Sequence, residues 1–369
     1  MELTDRAEAR MISLCWPDGT RGDFPYIWLR DNCPGGFHPD TRERTFDLMS
    51  VPLDVVPETS RIEADALIVE WQDGHASRFE TDWLRAHRPG AAADDPAQVP
   101  PEVWRADVGA AAIPRVSADA VMDDDAVLAD WLRAARAWGV SIVERLADSP
   151  EAGMDVARRV GFLRETNFGK TFEVRSKPNP NNLAYTADAL PLHTDLANQE
   201  MPPGWQFLHC LVNEAEGGGS VFADGLAMAE DLRAEDPDAF TLLSTVSIPF
   251  RFHDEGCDIR RRQYVITLDG DGAVNEICYN AHLAGVFDMG ADVLDAYYRA
   301  YRAFMAKTRD PAYQLTLKLE AGEMAVFDNR RVLHGRDVFD PSTGARYLHG
   351  CYVDRGEFDS RLRTLVRAA

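Results

Sequence analysis

Positive charge is scarce in this sequence. Its 369 residues hold 39 Lys and Arg against 61 Asp and Glu, a formal net charge of −22. Nucleic-acid surfaces and polybasic membrane anchors both draw their affinity from clustered Lys and Arg, so this balance argues against both. No run of roughly 18 apolar residues occurs, which excludes a membrane-spanning helix. Residues 1–10 carry three acidic side chains and no apolar stretch, so no secretory leader is expected and the expected compartment is the cytoplasm. Cysteine is sparse as well. Cys15, Cys33, Cys210, Cys257, Cys278 and Cys351 are too scattered to make a disulfide framework. Finally, no GxGxxG follows a strand, and neither GxxxxGK[ST] nor a GxSxG elbow is present. Those absences remove the usual nucleotide-cradling loops and the α/β-hydrolase nucleophile. The triplet Gly217, Gly218, Gly219 precedes a β run and reads as a tight turn.

What is present suits a folded protein. Hydrophobic residues make up 45% and charged residues 27%, and the length allows about two domains. The first 87 residues contain a repeat. Trp16, Asp18 and Gly19 recur 55 positions later as Trp71, Asp73 and Gly74, and Trp28, Leu29, Arg30 as Trp83, Leu84, Arg85. Each Asp-Gly sits between alternating runs, which predicts a hairpin in each copy. We read 1–87 as a small, mostly β domain, 88–101 as an Ala/Asp/Gly/Pro linker, and 102–369 as a larger α+β domain. In the larger part, acid at 123–125 opens a helical period that Gly139 closes. Further helices are predicted over 154–162, 227–233 and 293–308. Short β runs are predicted over 206–212, 220–223, 264–268, 315–319, 324–327 and 346–353. Many strands with few crossover helices predict a closed or double-sheet architecture rather than a doubly wound sheet.

The histidines guide the search for chemistry. His193 and Asp195 stand two apart between β-like segments, a spacing that puts both on one face of a strand. An imidazole and a carboxylate converging in this way supply two ligands of a 2-His-1-carboxylate facial triad. His334, on an apolar run beside Gly335, is the candidate third. Arg346 opens the next β run and could grip a carboxylate bidentately.

At this point the sequence resembles the γ-butyrobetaine dioxygenase family of Fe(II)- and 2-oxoglutarate-dependent oxygenases, within the taurine-dioxygenase-like superfamily. The resemblance rests on ordered blocks: 28–34 (WLRDNCP), 192–195 (LHTD), 206–210 (QFLHC) and 327–336 (FDNRRVLHGR). It implies a double-stranded β-helix, or jelly roll, for the larger domain. His193, Asp195 and His334 fall on the family's iron ligands, and Arg346 on the arginine that binds the distal carboxylate of 2-oxoglutarate, with Ser220 assisting. The implied reaction uses O2, releases succinate and CO2, and hydroxylates an unactivated carbon, with ascorbate as an activator. A homodimer is implied as well.

The resemblance also implies a substrate class. A trimethylammonium group has no N–H to donate and is best held by π faces. Phe168, Phe172, Tyr185 and Tyr352 fall on aromatic-cage positions, while Leu196 replaces an aromatic of the animal members. Asn182 and Asn280 fall near amides that hold the carboxylate of γ-butyrobetaine. The expected substrate is γ-butyrobetaine, giving carnitine, or its phosphonate counterpart 2-(trimethylammonio)ethylphosphonate. Trimethyllysine, a taurine-like sulfonate, or a non-catalytic jelly-roll binding module are the alternatives. Family members carry a structural zinc on three cysteines and a histidine in the small domain. Here only Cys33 and His75 occupy such positions, with His38 as a substitute. A closed zinc site needs four ligands, so zinc is expected to be absent or weakly held.

Overall fold

The computed structural model describes residues 1–91, 94–175 and 186–368. The chain separates into two compact units, Met1–Asp95 and Pro96–Ala369.

The first unit is built twice from one plan. Strands β1 (Glu2–Arg6), β2 (Met11–Cys15) and β3 (Arg21–Pro25) form one antiparallel sheet, followed by helix α1 (Tyr26–Asp31). Strands β4 (Pro57–Glu63), β5 (Ala66–Trp71) and β6 (Ala76–Glu80) form the second, followed by α2 (Thr81–Ala86). The repeated Trp-x-Asp-Gly makes the same turn in both. Gly19 and Gly74 donate to the carbonyls of Trp16 and Trp71, each at 2.9 Å, with φ of +85° and +81°. Glycine is the residue that takes those angles without strain. The second repeated element meets itself, the Trp28 and Trp83 rings lying 5.8 Å apart. Around them Ile12, Phe24, Leu67, Val69 and Phe79 form a core with hardly any exposure.

The second unit is two sheets with helices on their outer faces. The larger sheet runs β7 (Arg115–Ser117), β8 (Val140–Glu144), β19 (Met324–Asp328), β11 (Trp205–Asn213), β22 (Arg346–Val353) and β9 (Thr171–Val174) in spatial order. The smaller runs β10 (Leu190–His193), β20 (Val332–Arg336), β13 (Ser220–Asp224) and β18 (Leu315–Leu317). All their pairings are antiparallel except β7 with β8. Between the sheets lies an apolar layer of Ile142, Leu208, Phe222, Ala325, Phe327, Val332 and Leu348. Helices α3 (Ala118–Asp123), α4 (Asp125–Trp138), α5 (Pro150–Val160) and α9 (Arg355–Ala368) cover the larger sheet. Helices α6 (Gly225–Glu235), α7 (Pro237–Thr245) and α8 (Ala291–Arg309) cover the smaller one. Three two-stranded ribbons complete the fold: β12 (Glu216–Gly217) with β21 (Phe339–Asp340), β14 (Ile248–His253) with β15 (Asp258–Gln263), and β16 (Ile266–Leu268) with β17 (Val274–Ile277).

Local signals explain the helix ends. Asp124 caps α4 through Ala126 and Val127, and Gly139 ends it in the left-handed conformation, as the acid run and glycine suggest. Helix α5 begins earlier than its periodicity predicts, because Ser149 caps it and Pro150 occupies its first turn. The α7 helix, the β14–β15 hairpin and α9 carry no strong periodic signal, and packing against the sheets decides them. Among the described residues no helix is long and apolar enough to cross a membrane.

Candidate active site

His193 and His334 are cross-strand partners in the β10–β20 ladder, with ring centroids 4.4 Å apart. Asp195 reaches them differently from the sequence expectation. Strand β10 ends at His193, and the chain turns through Leu196 at φ +56°, a rare angle for a residue with a Cβ. That strained turn is held by hydrogen bonds. The Asp195 amide donates to Asn329 Oδ1 at 2.6 Å, and Asn329 Nδ2 donates back to the Asp195 carbonyl at 3.2 Å. Thr194 is fastened to Tyr279, donating from its amide to the Tyr279 carbonyl at 2.7 Å and accepting on Oγ1 from the Tyr279 amide at 3.0 Å. The two residues share a site, and a turn rather than a strand face brings them together.

The result is a compact donor set. One atom from each of His193, Asp195 and His334 lies within 4.8 Å of the others. His193 Nδ1 donates to the Pro191 carbonyl at 2.9 Å, which leaves Nε2 as the free lone pair. Nε2 lies 3.2 Å from Asp195 Oδ1, and His334 Nε2 lies 3.6 Å from Oδ2. Tyr352 donates its hydroxyl to that same Oδ2 at 2.7 Å. Burial alone would raise the Asp195 carboxyl, yet His334 and His193 beside it hold it well below the ordinary carboxylate range. Burial pushes His334 downward more than Asp195 pulls it up. Neutral imidazoles and an ionised carboxylate are the forms that bind a metal.

These residues open into a cavity of about 370 Å³. It is lined by Phe168, Phe172, Ser220, Asn280, Arg346 and Tyr352 together with the triad. Asn182 and Tyr185 lie outside the described residues. Phe172 stacks on Tyr352 with centroids 5.0 Å apart, and Phe168 meets Phe252 edge-on at 5.3 Å. Asn280 lines the wall, but its amide is engaged with backbone. It donates to the Thr194 carbonyl at 3.1 Å and accepts from the amides of His282 and Leu283. It therefore braces the Asp195 turn. Sequence reasoning missed Phe252, Arg251, Gln206 and Arg336 as lining residues. Phe252 lies on β14, where no strand was predicted, and nothing in its local sequence distinguishes a cavity aromatic from a core one.

Arg346 is the other feature of the cavity. It is buried, and its Nε and one terminal nitrogen have no hydrogen-bond partner. Burial, aided by nearby Arg336, pulls its guanidinium down to about 10. The guanidinium lies over the Phe339 ring at 5.6 Å, but buried cationic nitrogens without hydrogen bonds are costly, and a carboxylate is the group that fits their fork.

In the first unit, His75 Nε2 lies 3.2 Å from Cys33 Sγ. His38 does not join them. Its Nδ1 accepts from the amides of Asp40 and Thr41 in its own loop. Among the described residues His193, Asp195 and His334 are the one group of three or more such side chains close enough to hold an ion.

Two facing sheets, a His–Asp–His donor set and an orphaned buried arginine define a metal- and keto-acid-dependent oxygenase. Residues 98–352 match the family described as taurine catabolism dioxygenase TauD, TfdA, and residues 3–85 match the gamma-butyrobetaine hydroxylase-like N-terminal family. The chain belongs to the TauD/TfdA family of Fe(II)- and 2-oxoglutarate-dependent dioxygenases, in its gamma-butyrobetaine dioxygenase branch. It is 45% identical to a gamma-butyrobetaine dioxygenase of Pseudomonas sp. (strain AK-1), over 96% of this chain and 94% of that protein. It is 30% identical to the mitochondrial trimethyllysine dioxygenase of Gallus gallus, over 93% of this chain and 83% of that one. A Burkholderia xenovorans crystal structure assigned as an alpha-ketoglutarate-dependent taurine dioxygenase shares the fold, with a TM-score of 0.50 at 15% identity. That likeness covers 69% of this chain and 92% of the other. The residues present fit the family's groups. Three convergent N and O donors suit Fe(II), and the orphaned Arg346 nitrogens suit a carboxylate of 2-oxoglutarate.

Proposed function

We propose that the chain hydroxylates a short trimethylammonium zwitterion, with γ-butyrobetaine the first substrate to test, on a double-stranded β-helix core. The observation that carries the reading is the aromatic wall of Phe168, Phe172, Phe252 and Tyr352 in the same cavity as the triad. A quaternary ammonium offers a diffuse cation and no N–H, and ring faces within about 6 Å are what hold such a group. The 45% identity to a gamma-butyrobetaine dioxygenase over nearly the whole chain supports the same substrate class.

Bound Fe(II) supplies the oxidising chemistry, with O2 consumed and 2-oxoglutarate converted to succinate and CO2 as a C–H bond is hydroxylated. The protein's own part is positional. His193, Asp195 and His334 would hold the ion, and the Pro191 carbonyl fixes the tautomer of His193. Arg346, with Ser220 on β13 of the smaller sheet, would hold the far carboxylate of 2-oxoglutarate and set its angle of approach. Leu190, Leu196 and Leu208 line the cavity and limit water around the reacting carbon. Arg251, held at Nε and one terminal nitrogen by Asp258, and His253 are polar groups of the lining on the side where an anionic end, carboxylate or phosphonate, would lie.

A succinate assay over γ-butyrobetaine, its phosphonate counterpart, trimethyllysine and taurine tests this directly. Turnover of a short betaine that needs Fe(II), 2-oxoglutarate and O2 together is the expected result. Preference for taurine would remove the cation–π argument. Retention of the cellular role in His193→Ala would favour a non-catalytic binding module.

A further inference from the structure

Tyr352 sits on β22 opposite Gln206 of β11, on the cavity side of the larger sheet. Two residues before it, Gly350 leaves the space that the Phe172 ring fills, and the Tyr352 ring stacks on Phe172. Its hydroxyl reaches the other way, to Asp195 Oδ2 at 2.7 Å. One side chain therefore touches both the aromatic wall and the carboxylate of the donor set. Packing does not compel this contact. The buried hydroxyl of Tyr297 in the same unit has no hydrogen-bond partner among the described residues.

The hydroxyl makes the two oxygens of Asp195 unequal. Oδ2 accepts from Tyr352, while Oδ1 faces His193 Nε2 at 3.2 Å. A carboxylate free at both oxygens can take an ion through both and fill a position that keto acid or O2 requires. We infer that Tyr352 is a positioning residue for the metal centre: its hydroxyl occupies Oδ2 so that Asp195 offers a single oxygen, and its ring links that setting to the wall that receives the substrate cation. The link to the cation rests on the trimethylammonium reading; the action on the metal does not.

Metal-free protein titrated anaerobically with Co(II) or Fe(II) tests the inference without any substrate. Tyr352→Phe deletes one oxygen and keeps the ring, and Phe172→Leu keeps the hydroxyl and removes the ring partner. Partners of metal ligands typically matter by about 10- to 100-fold in affinity, so Tyr352→Phe is expected to weaken Co(II) binding at least tenfold. Its Co(II) absorption bands should shift as Asp195 becomes free to bind through both oxygens. Phe172→Leu should bind Co(II) as the wild type does. In turnover, Tyr352→Phe should keep the KM for γ-butyrobetaine within about twofold, since the ring face remains. It should also form more succinate per hydroxylated product. Phe172→Leu should raise that KM instead. Wild-type Co(II) affinity and spectrum in Tyr352→Phe would overturn the inference, as would an equal loss of affinity in Phe172→Leu. A panel with no betaine turnover would sink the substrate reading and leave the metal titration to decide this one. Unfolding midpoints and far-ultraviolet dichroism of both variants separate a lost fold from a lost ligand contact. If Tyr352→Phe were unfolded, Tyr352→Trp should show the same Co(II) weakening, and wild-type affinity there would overturn the inference.

Discussion

The guanidinium groups of Arg331 and Arg346 are both shut away from water, yet they are treated in opposite ways. Arg331, behind the smaller sheet, is fully met. It holds the buried Asp224 bidentately at 3.0 and 2.9 Å and donates to the carbonyls of Ala137 and Glu102, each at 2.7 Å. Asp224 in turn accepts from the amides of Trp104 and Leu226. Arg346, in the cavity, has two buried nitrogens with nothing to bond. A charge that is buried and satisfied ties segments together. A charge that is buried and unsatisfied is a cost the fold carries for a ligand.

The largest effect expected from this contrast is on Arg331. Replacing it with Met strands the Asp224 carboxylate and should cost about 3–5 kcal/mol of stability, read from urea unfolding. Arg346→Met should behave in the opposite sense. Affinity for 2-oxoglutarate should fall by about 100-fold, close to 3 kcal/mol, while the ligand-free protein unfolds no more easily than the wild type. Equal destabilisation by both substitutions would erase the distinction. In the same experiment 2-oxoglutarate at a hundredfold excess over the wild-type Kd should stabilise the wild type by about 2.7 kcal/mol and Arg346→Met by only about 0.4 kcal/mol.

A third case, a buried titratable group, lies on the outer face of the larger sheet. His209 is buried beneath α5, where Gly153 packs against its ring, and both its nitrogens lack partners. Burial, with His349 opposite it, lowers its imidazole to about 4 from the usual 6.5, against a small opposing pull from Asp148. The folded state therefore resists protonation more than the unfolded chain does. The stability this gives is present above pH 6.5 and is lost as pH falls toward 4. Between pH 7 and pH 5 the loss should be about 2 kcal/mol, and His209→Leu should flatten that slope. The smallest effect is expected in the first unit. Among the described residues Cys33 and His75 meet without a third ligand, so a mild chelator wash should leave no stoichiometric zinc and the unfolding midpoint unchanged.

Much of this site could be read before any coordinates. The 55-residue repeat, the capped helix ending at Gly139 and the long strands around Gln206 and Arg346 are local patterns, visible because capping and alternation act within a few residues. The spacing of His193 and Asp195 was legible as a pair, but the strand face assumed to unite them was not. The turn depends on Asn329 and Tyr279, more than eighty residues away. Phe252 escaped notice for a related reason. A cavity-facing aromatic and a core aromatic have the same pattern along a strand, and only the opposite wall tells them apart.

By itself the sequence determined the chemistry available: two imidazoles, one aspartate, one arginine and a set of rings, in an order that resembles one family. The tertiary structure decided how they are used. It set which amide is engaged with backbone, as Asn280 is, which arginine is left with unbonded nitrogens, and which hydroxyl reaches the Asp195 carboxylate. Those outcomes depend on distances between strands far apart in the chain, and hydrogen bonds fall off within a few tenths of an ångström.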